Sequence, residues 1–170
     1  KVFSSLRRRF SSLCFGTIKV PQTSARSSGE AVMTAREVAL AARRSIDVAH
    51  ERLLLGEALL VFPEGTRSRT GQMQRLLPGA ARYFEMPDTW VLPMALVGTE
   101  RLFPMSEDSL NPGRISLTIG VPLPARLLDE RAQRDRQLVM DDIGRAIAAL
   151  LPSEYRGAYG AAVETDGGSG

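Results

Sequence analysis

The segment from Phe62 to Gly71, FPEGTRSRTG, gathers residue types that suit a phosphate ester. Arg67 presents a planar fork that can take two phosphate oxygens at once, a more directional grip than a point charge provides. Thr66 and Ser68 bring hydroxyl donors, and Gly65 lets backbone approach a ligand with no Cβ in the way. Glu64 either orients Arg67 or accepts a hydrogen bond from a ligand hydroxyl. The same residues also fit a plain surface turn with a Glu64–Arg67 ion pair, worth about 0–1 kcal/mol. The one histidine, His50, lies upstream of this loop on a helical pattern and reads as a surface or boundary residue. A P-loop is excluded because no Gly-Lys-Ser or Gly-Lys-Thr triplet occurs.

Positioning that loop requires elements on both sides. Ala58 to Phe62 (ALLVF) is an unbroken apolar run, the pattern of a strand covered on both faces. Ligands of open α/β sheets bind beyond the carboxyl ends of strands, so the following loop is where a site is expected. Upstream, Ala31, Ala35, Val38, Ala42, Ile46, Ala49 and Leu53 form one apolar stripe of a long helix. Ser27 with Glu30 reads as its capping box and Gly56 as its carboxyl-terminal cap. Further upstream, Leu13, Phe15, Ile18 and Val20 suggest a short strand ended by Pro21.

Downstream, Pro78 and Gly79 open a short helix through Phe84. Trp90 to Val97 (WVLPMALV) reads as a buried strand in which Pro93 demands an edge or a bulge. After the loop Glu100 to Gly113, Ile115, Leu117 and Ile119 alternate with polar residues, as in a half-exposed strand. Past Pro122 and Pro124 a single helix is expected, ending on Ile143, Ile147, Leu150 and Leu151 before Pro152. The terminal VETDGGSG reads as a frayed tail. Helix and buried strand in this order predict an α/β fold with helices packed around a mixed, largely buried sheet.

A chain of 170 residues suits one compact domain. Its 44% apolar and 24% charged residues mark it as globular rather than disordered. No run approaches the roughly 18 apolar residues of a membrane-spanning helix. Cys14 stands alone, which excludes an internal disulfide and a cysteine-based zinc site and fits a reducing compartment. Residues 1–29 carry six bases (Lys1, Arg7, Arg8, Arg9, Lys19 and Arg26) and no acid, whereas the other 16 bases face 19 acids. A basic leader on a mildly acidic body suggests an anionic partner at one end. Arg7, Arg8 and Arg9 could bind anionic lipid headgroups or be ordinary surface. The mixed charges from Asp129 to Arg136 read as a solvated helix face. Nucleic-acid binding is disfavoured by the acidic body and the lack of a recognition motif. The first residue is Lys rather than Met, and a fragment of a longer protein is expected.

Phe62, Pro63, Glu64, Gly65, Thr66, Arg67 and Ser68 resemble the FPEGTRS motif of the glycerophospholipid acyltransferases, specifically the 1-acylglycerol-3-phosphate (lysophosphatidate) acyltransferase family. The order of later segments is similar too. Leu77 to Ala81 resembles the family's glycine-containing helix start, Val91 to Ala95 its proline-bearing strand, and Ile119 to Leu123 a later strand exit. Leu151 to Arg156 is similar to a common family ending. The resemblance is close over residues 56–156 and loose before them.

The resemblance implies acyl transfer from a thioester, acyl-CoA or acyl carrier protein, to the hydroxyl of a lysophospholipid, with no cofactor beyond that co-substrate. It implies a substrate-binding set of Glu64, Gly65, Thr66, Arg67, Ser68 and Pro93, the last lining the acyl side. It also implies a membrane-associated enzyme at the cytoplasmic face. In the family a histidine in H-x-x-x-x-D removes the hydroxyl proton, and a positioned base of this kind contributes about 10²–10⁴-fold. That pattern does not occur in these residues. The expectation is therefore residues 1–160 as a partial acyltransferase domain whose histidine lies upstream of Lys1, inactive alone, with residues 161–170 as a disordered tail. Pro21 and Gln22 stand where the family's Val-Asp-Arg strand end would bring a second arginine, so none is carried over. The rivals are a non-catalytic lipid- or partner-binding derivative, or an acyltransferase for glycerol-3-phosphate, an ornithine lipid or another lysolipid.

Overall fold

The computed structural model describes residues 34–86, 88–102, 111–132 and 135–161, with residue 18 alone before them. Helix α1 (Ala35–Leu54) begins where Glu37 N–H donates to Thr34 Oγ1 (3.3 Å) and Thr34 N–H donates to Glu37 Oε2 (2.7 Å). Each bond satisfies a backbone donor left open at a helix start. Thr34's hydrogen bonds, the backbone one foremost, also hold the Glu37 carboxyl below its ordinary range. The capping box expected at Ser27 and Glu30, the short strand at Leu13 to Val20 and the arginines at 7–9 lie outside the described residues, as does the tail from 162 on. At the other end Gly56 takes φ +80°, its N–H donates to Leu53 O (3.0 Å), and Glu57 N–H donates to Arg52 O (3.1 Å). That is the paired-bond stop a left-handed residue permits, and Gly56 ends the helix as its position predicts. Ile46 and Ala49, from the expected stripe, are buried together with Ser45.

The chain divides into two compact units, Lys1–Leu59 and Leu60–Gly170. The expected strand Ala58 to Phe62 straddles this division and does not form. Leu60 is 66% exposed and Phe62 68%. A strand is stable only with a partner for its backbone groups. Among the described residues no strand pairs with this run.

Within the second unit the run WVLPMALV is interrupted at Leu92 and Pro93. Strand β1 (Trp90–Val91) and strand β2 (Met94–Val97) flank the break. Proline has no N–H for the ladder, and Pro93 instead offers its carbonyl to Gly120 N–H (2.9 Å). A single turn, α2 (Thr99–Leu102), follows. Strand β3 (Ser116–Ile119) pairs antiparallel with β2, and β4 (Leu123–Pro124) pairs antiparallel with β1. The described residues are thus mixed in helix and strand, with small sheets of two strands each among them.

The half-exposed strand expected at Ile115 to Ile119 is exposed at every residue of β3. The register sets Ile119 opposite Met94 and Leu117 opposite Leu96, and sets Thr118 opposite Ala95. Directly opposed residues share a face, and Ala95 faces the core. The apolar members of β3 therefore point away from it, with Leu117 53% and Ile119 58% exposed. The described sheets are accordingly less covered than the expected largely buried sheet.

The core lies elsewhere. Helix α3 (Ala125–Ala132) and helix α4 (Arg136–Ala148) replace the single long helix expected after Pro124. Asp135 starts the second by accepting Gln137 N–H on Oδ1 (2.8 Å), a cap that begins a new helix. Val139, Met140 and Ile143 share the buried face of α4 and pack with Leu76, Ala81, Ala95, Leu128, Ala148 and Leu151. The 3₁₀ segment Pro78–Phe84 begins with Pro at its first position, as expected. Of the charged stretch Asp129 to Arg136, Arg136 forms a surface ion pair with Glu85 (3.0 Å); the side chains of 129–134 lie outside the described residues.

Candidate functional site

The loop bearing the motif folds back on the stretch after it. Gly65 N–H donates to Phe62 O (3.1 Å), closing a four-residue turn, and Gly65 adopts φ +71°, a conformation glycine takes without steric cost. A Cβ there would fall 2.5 Å from Leu77 Cδ1. Leu77 N–H donates to Pro63 O (3.0 Å), and Gln74 N–H donates to Glu64 Oε2 (2.8 Å). At the far end, Thr70 N–H donates to Ser68 Oγ (3.3 Å) and Gln72 N–H to Thr70 Oγ1 (3.4 Å), side-chain bonds that build turns where no ladder exists.

These ties separate roles the motif leaves open. Glu64 is half-buried and spends a carboxylate oxygen on Gln74, so it fixes the loop. Among the described residues it forms no ion pair with Arg67, and the surface-turn pair expected from sequence is not made. Thr66 and Arg67 are exposed, and Ser68 is half-buried with its hydroxyl engaged. Pro93 is buried between β1 and β2, and no hydrogen bond among the described residues joins it to the loop. A shallow open pocket of about 270 Å³ begins where the motif ends, lined by Thr70, Gly71, Glu100, Arg101, Glu154 and Tyr155. Glu64 and Arg67 do not line it. Inside it Tyr155 O–H donates to Glu100 Oε1 (2.9 Å), and this bond to a carboxylate pushes the phenol's pKa up. His50 sits half-buried on α1.

Sequence reasoning missed the groups behind the loop. Arg75 donates twice to Asp141, from Nε to Oδ1 (3.2 Å) and from Nη2 to Oδ2 (2.7 Å). Gln137 Nε2 donates to Asp141 Oδ1 (2.8 Å) and to Leu76 O (3.3 Å). Tyr159 O–H donates to Asp141 Oδ1 (3.1 Å) and accepts Leu76 N–H (3.1 Å). The four-residue spacing of Gln137 and Asp141 on one helix was the only signal available in advance. Their partners lie more than fifty residues away or beyond α4.

The Arg75 hydrogen bond holds the Asp141 carboxyl at about 2; burial opposes it, and Gln137 and Tyr159 add to it. Burial pushes the Tyr159 phenol up. A carboxyl lowered on folding contributes stability above its unfolded value of 3.8 and loses it as the pH falls towards about 2. Urea midpoints of the wild type should therefore drop between about pH 4 and pH 2, and Asp141→Asn should flatten that drop. Parallel curves for the two proteins would refute the linkage.

Residues 15–97, with the whole motif loop and Pro93 inside them, match the family described as Acyltransferase. A 1-acyl-sn-glycerol-3-phosphate acyltransferase of Chlamydomonas reinhardtii is 31% identical over 103 residues, 60% of this chain and 29% of that protein. The chloroplastic 1-acyl-sn-glycerol-3-phosphate acyltransferase LPAT1 of Arabidopsis thaliana is 30% identical over 94 residues, 55% of this chain and 26% of its own length. Over these residues the chain is similar to the 1-acylglycerol-3-phosphate acyltransferases. The aligned part of the chain spans less than a third of either relative. No solved structure matches it significantly. Among the described residues, no helix is long and apolar enough to cross a membrane.

Proposed function

We propose that the whole protein is an O-acyltransferase that moves a fatty acyl group from acyl-CoA or acyl carrier protein to the hydroxyl of 1-acylglycerol-3-phosphate. The acceptor's phosphate is taken by Arg67, with Thr66 and the Gly65 backbone beside it and Ser68 closing the loop. Glu64 keeps that loop in shape, and Pro93 belongs to the acyl side. One observation supports the reading most: a family motif whose glutamate is tied back to Gln74 while its arginine is left open to solvent. An exposed guanidinium on a constrained loop can form two charge-assisted bonds to a phosphate without first breaking an ion pair.

The reaction needs a base for the acceptor hydroxyl, and Leu55 stands five residues after His50, where the family's H-x-x-x-x-D pattern has its acid. In this reading the base is a histidine outside the 170 residues, residues 1–160 form one acyltransferase domain around a sheet, and the reaction runs at the cytoplasmic face of a membrane. The second reading, a lipid-binding derivative without catalysis, is favoured by the same lack of H-x-x-x-x-D in this chain. Sedimentation with phosphatidylcholine vesicles tests the shared part. The chain should bind vesicles containing lysophosphatidate and leave those containing lysophosphatidylcholine in the supernatant. Equal binding to both would overturn recognition of a phosphate monoester. Steady thioester consumption by this chain with lysophosphatidate would overturn the external base.

A further inference from the structure

We infer that Tyr159 is a positioning residue for the motif loop, although it stands more than eighty residues from it in the chain. The inference rests on the phosphate-binding reading above for its consequence, and on the hydrogen bonds for its geometry. The motif loop belongs to no helix or ladder, so its shape depends on the bonds that cross it. Two of these, to Pro63 O and to Glu64 Oε2, come from Leu77 N–H and Gln74 N–H. Residues 73–77 are themselves neither helix nor strand and are held from the opposite side by the end of the chain. Met73 N–H donates to Tyr155 O (2.9 Å), and Ala158 N–H donates to Met73 O (3.0 Å). Both backbone groups of Leu76 end on side chains, the N–H on Tyr159 Oη and the C=O on Gln137 Nε2.

Leu76 is 1% exposed, so water cannot replace the phenol if it is removed, and a buried amide left unmet is costly. Tyr159 is in turn fixed by its bond to Asp141, which Arg75 and Gln137 also grip. The path from Asp141 through Tyr159 to Leu76, and from there through Leu77 and Gln74 to Pro63 and Glu64, consists of bonded neighbours throughout. Arg67 lies three residues beyond Glu64 on the same loop. A phosphate fork is effective only when its carrier is held still, because ordering a loose loop on binding consumes part of the interaction energy.

Tyr159→Phe removes only the hydroxyl and leaves the ring beside Gly144, so the fold has little reason to change. In this variant of the 170-residue chain, amide hydrogen exchange at Gly65, Gln74 and Leu77, whose N–H groups make the bonds that cross the loop, should rise about tenfold, and binding to lysophosphatidate vesicles should weaken about tenfold. Ile143→Val serves as the control, because it weakens the same core without touching these hydrogen bonds. It should leave loop exchange and binding within about twofold of wild type. Loop exchange unchanged in Tyr159→Phe, or raised equally in Ile143→Val, would overturn the inference. Should Tyr159→Phe fail to fold, Gln137→Met, which removes the other side-chain bond to Leu76, must give the same rise in loop exchange or the inference falls. A wild-type chain that ignores lysophosphatidate refutes the phosphate-binding reading, whereas loop exchange still decides whether Tyr159 orders the loop.

Discussion

Arg67→Ala is expected to weaken binding to lysophosphatidate vesicles by roughly 10- to 100-fold, the worth of a two-pronged charged hydrogen bond to phosphate. Its effect on stability should be negligible. The side chain is exposed, and among the described residues no acid pairs with it, so its loss strands no buried partner; surface changes of this kind stay within about 0.5 kcal/mol. Arg67→Lys should recover part of the loss, since an ammonium keeps the charge but not the planar fork. In the whole protein, under the proposed acyl transfer, the alanine variant should raise the acceptor KM and lower turnover. Vesicle binding and steady-state kinetics measured beside a urea melt separate the two effects. A folded Arg67→Ala protein with wild-type binding and kinetics would remove Arg67 from the site.

Gly144→Ala is expected to destabilise the second unit, and the sign runs against helix propensity. Gly144 lies inside α4, where alanine would ordinarily gain about 1 kcal/mol. A Cβ at this position would fall 2.3 Å from Tyr159 Cζ and 2.6 Å from Cε1. The ring is buried and its hydroxyl is bonded at both ends, so it has no room to yield. Overpacking costs about 1–3 kcal/mol, and expelling the ring forfeits two hydrogen bonds worth about 1 kcal/mol each. The net loss should be roughly 2–3 kcal/mol, read as a lower urea midpoint at unchanged slope. Adding Tyr159→Leu removes the obstructing ring, so the double variant should be no less stable than Tyr159→Leu alone. Additive losses would show that the two residues do not meet.

Local signals were legible where the physics is local. Gly56 ends α1 because a left-handed residue is needed there, and Pro78 opens its segment because its ring suits a first helical position. Pro93 interrupts WVLPMALV because it brings no ladder donor. The same local reasoning ran too far at Asp135, where a cap divides one expected helix into α3 and α4. At β3 the alternation was real, but its period says only that two faces differ and not which one meets the core. The register with β2 turned Leu117 and Ile119 outward. For ALLVF, hydrophobicity promised a covered strand, yet coverage depends on a partner elsewhere in the chain.

The motif from Phe62 to Ser68 and the resemblance it carries were legible in the sequence, because a short ordered string of special side chains carries its signal within itself. Glu64's commitment to Gln74, the isolation of Pro93 from the loop, and the bracing of Leu76 by Gln137 and Tyr159 were decided by tertiary structure alone. Those bonds join groups ten to more than eighty residues apart, and a hydrogen bond depends on where two atoms come to lie, which no spacing along the chain states.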